Sequence, residues 1–88
     1  MKNQVIRFTA DWCEPCKAMA PVVDRMANEM GIPVRVVDQA NDVSNETRWY
    51  GVRALPTLLL LGEDGSVIDR ISGALSETQI REFLEQKA

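Results

Sequence analysis

The two cysteines of the sequence, Cys13 and Cys16, lie three positions apart within the segment TADWCEPCKAMAP. Such a pair can bind a metal, crosslink the fold or exchange electrons as a dithiol. A zinc site takes about four nitrogen or sulfur ligands, and the sequence contains no histidine, so carboxylates would have to complete it. A structural disulfide across so short a loop would restrain the unfolded chain little. The pattern favours dithiol–disulfide exchange without a metal.

The elements around the cysteines support this interpretation. A β-branched and aromatic stretch at 4–10 predicts a first strand. Apolar residues then recur every three or four positions through 13–30, which indicates an amphipathic helix that Gly31 ends. Cys13 would thus lie at a helix N-terminus with Pro15 in the first turn. Backbone N–H groups and the helix dipole stabilise a thiolate at that place.

The remainder of the chain alternates between strand and helix patterns. We expect a short helix capped by Asn41 or Ser44, with Trp49 and Tyr50 packing it against the sheet, and a final helix opened by a Ser76 capping box. Strands are predicted at 32–40, 56–62 and 66–72, with a turn at 62–65. The order β-α-β-α-β-β-α predicts an α/β fold in a single domain, 1–88. Its mixed four-stranded sheet would carry helices on both faces.

Composition excludes several classes of function. The chain has 88 residues and a net charge of −3, and its lysines and arginines are scattered, so we expect no nucleic-acid partner. No apolar run approaches the roughly 20 residues that span a bilayer, so we expect no membrane association. The N-terminus lacks the apolar region of a signal peptide. We therefore expect a cytoplasmic monomer, in a compartment where paired cysteines are more often catalytic or metal-binding than structural.

Three segments carry a resemblance to a known family. WCEPCK at 12–17, YGVRALPTLLL at 50–60 and GAL at 73–75 are similar to thioredoxin motifs, although Glu14 stands where the family usually has glycine. The resemblance covers essentially the whole chain. Because one predicted strand precedes Cys13, where most thioredoxins carry an additional strand and helix, we expect a trimmed thioredoxin fold. Small glutaredoxins are similarly compact, yet their Cys-Pro-Tyr-Cys motif and double glycine are absent. The resemblance implies a thioredoxin-like fold.

It also implies residue roles. Cys13 would attack a substrate disulfide, Cys16 would resolve the mixed disulfide, and Leu55–Pro56 would be a cis peptide bond. Without the resemblance, Pro56 would read as a trans proline opening a strand and Trp12 as a core aromatic. The substrate-docking residues would be Trp12, Glu14, Pro15, Leu55, Pro56, Ser72, Gly73 and Ala74. The implied activity reduces protein disulfides, takes electrons from a thioredoxin-reductase-like donor and needs no cofactor besides the Cys13–Cys16 disulfide.

One departure from the family bears on the chemistry of the cysteines. Thioredoxins usually bury an aspartate six residues before the first cysteine, where this chain has Arg7, and the lysine that partners it aligns with Val34. Arg7 beneath the first helix and directed towards Cys16 would favour thiolate; alternatively, its side chain extends to solvent. Lys17 is a second candidate for tuning. Two other functions stay open: a thioredoxin-like binding module with incidental redox activity, and a glutaredoxin-like electron donor.

Overall fold

A computed structural model describes residues 2–87 of the protein and gives the expected order of elements. The strands are β1 (Gln4–Thr9), β2 (Val34–Asp38), β3 (Thr57–Leu61) and β4 (Val67–Ser72). The helices are α1 (Glu14–Glu29), α2 (Glu46–Trp49) and α3 (Glu77–Leu84). Within the described range, none of these helices has the length and apolar character needed to cross a bilayer.

The four strands form one mixed sheet in the order β2-β1-β3-β4. β1 is central: it pairs parallel with β2, as predicted, and antiparallel with β3, which pairs antiparallel with β4. In this register Phe8 lies opposite Thr57, and Thr57 lies opposite Ser72. Three segments therefore meet at one edge of the sheet: the segment after β1, the segment before β3 and the segment after β4. The cysteines follow β1 at that edge.

Both faces of the sheet are covered, which explains the continuous apolar run of β3. Leu58 and Leu60 pack with α1 and α3, while Leu59 and Leu61 belong to the core on the opposite face. All four leucines are buried. A strand with two covered faces loses the alternation of apolar and polar residues that a half-exposed strand shows.

The two cores have different compositions. On the first face, α1 and α3 contribute Met19, Val23, Met26, Ile80 and Phe83, so the methionines are packing residues. On the second face, the ring of Phe8 meets that of Tyr50 edge-on, with centroids 6.3 Å apart.

The ends of the long helices follow their sequence signals. Gly31 adopts a φ of +70°, and its N–H and that of Ile32 donate to the carbonyls of Asn28 and Ala27 at 3.1 and 2.8 Å. This is a Schellman ending, whose left-handed residue glycine adopts without strain. At the start of α3, the Ser76 hydroxyl and the Gln79 side chain exchange hydrogen bonds with each other's backbone N–H.

Two expectations about α2 are wrong. Neither Asn41 nor Ser44 caps it: the carboxylate of Asp42 accepts hydrogen bonds from the N–H groups of Glu46 and Thr47 at 2.9 and 2.7 Å. Trp49 is 81% exposed, so of the two aromatics Tyr50 alone packs against the sheet, and Val52 packs beside the same core. Consecutive helical positions diverge by about 100° around the axis, and the two neighbouring aromatic side chains therefore do not share the buried side.

Candidate active site

Cys13 and Cys16 lie at the start of α1 and form a disulfide. Cys13 is the residue that caps the helix, and Cys16 is in its first turn, with their Cα atoms 5.3 Å and their sulfurs 2.12 Å apart. The N–H of Cys16 donates to Cys13 Sγ at 3.3 Å. The Cys13 sulfur therefore occupies the position of a capping oxygen, where the unpaired N–H groups and positive end of the helix favour negative charge.

Because of this placement, reduced Cys13 is expected to ionise more readily than a free thiol. With Cys16→Ser, the alkylation rate of Cys13 should rise with pH around a midpoint well below the ordinary thiol pKa of about 8.5. The matched Cys13→Ser variant, with only Cys16 reactive, should be alkylated far more slowly at neutral pH. A Cys13 midpoint near that of a free thiol would contradict the role assigned to the helix terminus.

The disulfide packs against Ala10 and against the segment before β3. Ala10, Cys13 and Cys16 form a buried cluster that Leu55 covers in part. The Leu55–Pro56 peptide bond is cis. Gly73, with a φ of +98°, donates its N–H to the Pro56 carbonyl at 2.9 Å, which joins the segment after β4 to the segment before β3.

Thr57 supports this junction, and the sequence did not single it out. Its side chain is buried, and its hydroxyl donates to the Ala54 carbonyl at 2.6 Å. Since that bond uses the only hydroxyl proton of Thr57, the Ser72 hydroxyl 2.8 Å away must be the donor in the second bond. The local signal was only a threonine after a proline, because its partner Ser72 lies on another strand.

The structure brings the expected docking residues to the same edge as the disulfide but exposes them unequally. Trp12 is 73% exposed, so the interpretation of it as a core aromatic is wrong. Pro15 and Ala74, from separate segments, line one shallow cleft of about 150 Å³. Glu14, Pro15, Ser72 and Ala74 are exposed, Leu55 and Gly73 are half-buried, and Pro56 is buried.

The charged candidates have different environments. Lys17 and Glu14 form an exposed pair with Nζ and Oε1 3.5 Å apart, and such pairs contribute little because solvent screens them. Arg7 is buried, with only 11% of its side chain exposed, so its extension to solvent is wrong. Its Nη2 lies 3.3 Å from Oδ2 of Asp24 on α1. Arg7 therefore lies beneath α1, and its guanidinium binds Asp24, eight residues after Cys16.

The cysteines do not belong to a metal-binding cluster in the described part of the chain. Residues 2–87 contain no cluster of three or more histidine, cysteine, aspartate or glutamate side chains suited to holding a metal ion. The Cys13–Cys16 pair at the sheet edge can store two electrons as a dithiol and release them on forming the disulfide.

Comparisons with known proteins agree with this geometry. The thioredoxin family profile matches residues 1–86. The chain is similar to thioredoxin from Haemophilus influenzae, at 41% identity over 93% of this chain and 77% of that protein. It is 39% identical to thioredoxin from Pseudomonas aeruginosa, over 92% of this chain and 75% of the relative.

Solved structures give the same result. The crystal structure of Fasciola hepatica thioredoxin superposes with a TM-score of 0.82 at 36% identity, covering 94% of this chain and 78% of that one. Reduced Schistosoma mansoni thioredoxin pre-protein also gives a TM-score of 0.82, at 26% identity, with 96% and 77% coverage. These matches agree with the Cys-x-x-Cys pair at the start of a helix beside Pro56. The chain therefore belongs to the thioredoxin family and is a thiol–disulfide oxidoreductase.

Proposed function

We propose that this protein reduces the disulfides of other proteins and is itself recycled by a thioredoxin-reductase-like donor. The observation that carries the proposal is the Cys13 sulfur at the N-terminus of α1, with Cys16 close enough to form a disulfide with it. A nucleophilic thiolate with a second thiol in reach is the equipment for two-step disulfide exchange.

The reaction balances with these two residues alone. The Cys13 thiolate attacks one sulfur of the substrate disulfide, the substrate S–S bond breaks, and the departing substrate thiolate takes a proton from water. Cys16, after giving its proton to water or another base, attacks the Cys13 sulfur of the mixed disulfide. The second substrate thiolate leaves and is protonated, and the Cys13–Cys16 disulfide remains. The substrate has gained two electrons and two protons from the protein. The donor later replaces them and so restores the dithiol.

We place substrate docking on the exposed surface around the disulfide. Trp12, Pro15 and Ala74 offer apolar area to solvent on both sides of the cysteines. Leu55 and Gly73 form the half-buried part of the same surface. We propose that the protein acts as a monomer and that it works in the cytoplasm. A reducing compartment keeps such a dithiol available between turnovers.

The test is the reduction of insulin disulfides, followed by the turbidity of the precipitating chains, with two separate electron sources. We expect turnover with NADPH and a thioredoxin reductase, and little with glutathione and its reductase. Turnover with glutathione and its reductase, but not with thioredoxin reductase, would instead identify a glutaredoxin-like electron donor. The matched control is the double variant Cys13→Ser and Cys16→Ser, which should be inactive with either source. Failure of the wild-type protein with both would favour the binding module.

A further inference from the structure

The ion pair of Arg7 and Asp24 is the unusual feature beneath the active-site helix. Arg7 lies on the central strand between Val36 of β2 and Leu58 of β3, with Nη2 3.3 Å from Oδ2 of Asp24. Arg7 is buried, while about half of the Asp24 side chain is exposed. Arg7 Nε is also buried and has no hydrogen-bond partner among residues 2–87. One donor of this guanidinium is therefore occupied by Asp24 and another is unsatisfied.

The pair lies near the disulfide, but its acid is farther along the helix. Arg7 precedes Ala10, which packs against the cysteines, by three residues, or about 10 Å of strand at 3.3 Å per residue. Asp24 follows Cys16 by eight residues on α1, or about 12 Å along the axis. The Arg7 guanidinium is thus held at a part of α1 that lies beyond Cys16, eight residues further along the helix.

The charges decide what this does to the thiols. A unit positive charge about 10 Å from a thiolate, at an effective dielectric constant of 20, lowers the thiol pKa by about one unit. A carboxylate 3.3 Å from the guanidinium cancels most of that effect, because at the distance of the sulfurs the two opposite charges act as a small dipole.

We propose that Asp24 is a positioning residue for the redox site: it neutralises Arg7 and holds it away from the sulfurs, which limits the stabilisation of the thiolate. Asp24 touches neither cysteine and acts through Arg7. The inference rests on redox chemistry at Cys13 and Cys16, yet thiol ionisation can be measured without turnover. A failure of the inference therefore leaves disulfide reduction intact and is distinguishable from a failure of the proposed function.

Other charged groups surround the disulfide and stay constant in the test. Asp11 precedes it, Glu14 lies between the two cysteines, Lys17 follows Cys16, and Arg53 lies on the segment leading to Pro56. All four are exposed. Ala10 and Leu55, which contact the cysteines, carry no charge. Since none of these groups is altered between variants, a difference in thiol pKa reports on Arg7 and Asp24.

The decisive experiment is Asp24→Asn, with the Cys13 thiolate titrated in the Cys16→Ser background by absorbance against pH. The expected result is a pKa lowered by about one unit, because the freed guanidinium can turn towards the sulfurs. In the two-cysteine protein, the equilibrium with a glutathione redox buffer should shift about tenfold towards the dithiol, since a stabilised thiolate makes the disulfide more oxidising.

Three further variants separate positioning from a plain charge effect. With Arg7→Met already in place, Asp24→Asn should lower the Cys13 pKa clearly less than it does beside Arg7, because only the direct effect of the carboxylate charge is then removed. Asp24→Glu should retain the wild-type value. Glu77→Gln is the matched control, because Glu77 forms an exposed ion pair with Arg25, the residue after Asp24. It removes the same charge and should have little effect. An unchanged pKa in Asp24→Asn, or an equal shift with and without Arg7, would overturn the proposal.

Discussion

Replacing Cys13 with serine is expected to abolish disulfide reduction, with a loss of at least about a thousandfold. A serine hydroxyl at the start of α1 stays protonated at neutral pH, so the favourable N–H groups have no anion to stabilise. The measurement is the insulin assay with thioredoxin reductase as donor. Activity within tenfold of the wild-type protein would show that Cys13 is not the nucleophile.

Cys16→Ser is the matched variant, and it should fail differently. Cys13 still attacks the substrate, but no second thiol releases it, so a mixed disulfide accumulates that dithiothreitol cleaves. Mass spectrometry should find this adduct on Cys13 in Cys16→Ser and none in Cys13→Ser. The double variant also distinguishes an enzyme from a binding module. If the wild-type protein shows no turnover and the double variant still binds a partner, the protein is a binding module.

The sequence predicted the position of this chemistry because the signals are local. A proline two residues after Cys13 and a strand before it were sufficient to place the sulfur at a helix start. The partner of Arg7 was not predicted. Asp24 lies 17 residues away on another element, and an exposed aspartate in a helix has no pattern that marks it as the partner of a buried charge. Its role depends on the packing of α1 over β1.

Phe8→Ala is expected to have the largest effect on stability, about 3 to 5 kcal/mol in the free energy of unfolding. Phe8 is almost fully buried in the core on the second face of the sheet, where its ring meets Tyr50. Its removal therefore leaves a cavity in that core. That loss is a large fraction of the roughly 5 to 15 kcal/mol that stabilises a typical domain. Urea unfolding followed by circular dichroism measures it.

Trp49→Ala is the control for this substitution. It also removes a large aromatic side chain, but one that is 81% exposed. Its effect on the free energy of unfolding should stay within about 0.5 kcal/mol. If the two substitutions cost the same, the burial assigned to Phe8 or the exposure assigned to Trp49 is incorrect.

The same pair of aromatics shows where sequence reasoning about the fold succeeds. Phe8 belongs to a strand whose β-branched and aromatic residues made it recognisable, and the leucines of β3 were recognisable as a strand buried on both faces. Trp49 and Tyr50 are adjacent aromatics at the end of a four-residue helix, which is too short to display a periodicity. Only the packing of the chain around them decides which one is buried.

The central place of β1 has a consequence for how the protein is made. On the ribosome, β1 can pair with β2 once the chain has been synthesised to Asp38, but its other edge has no partner until β3 ends at Leu61. At about 5 to 20 residues per second, synthesis from Asp38 to Leu61 takes about one to five seconds. During it, the strand that carries Ile6 and Phe8 has one unpaired edge and lacks the leucines of β3 that share its cores. One edge of β1 therefore stays open to chaperones, and to pairing with another chain, throughout this interval.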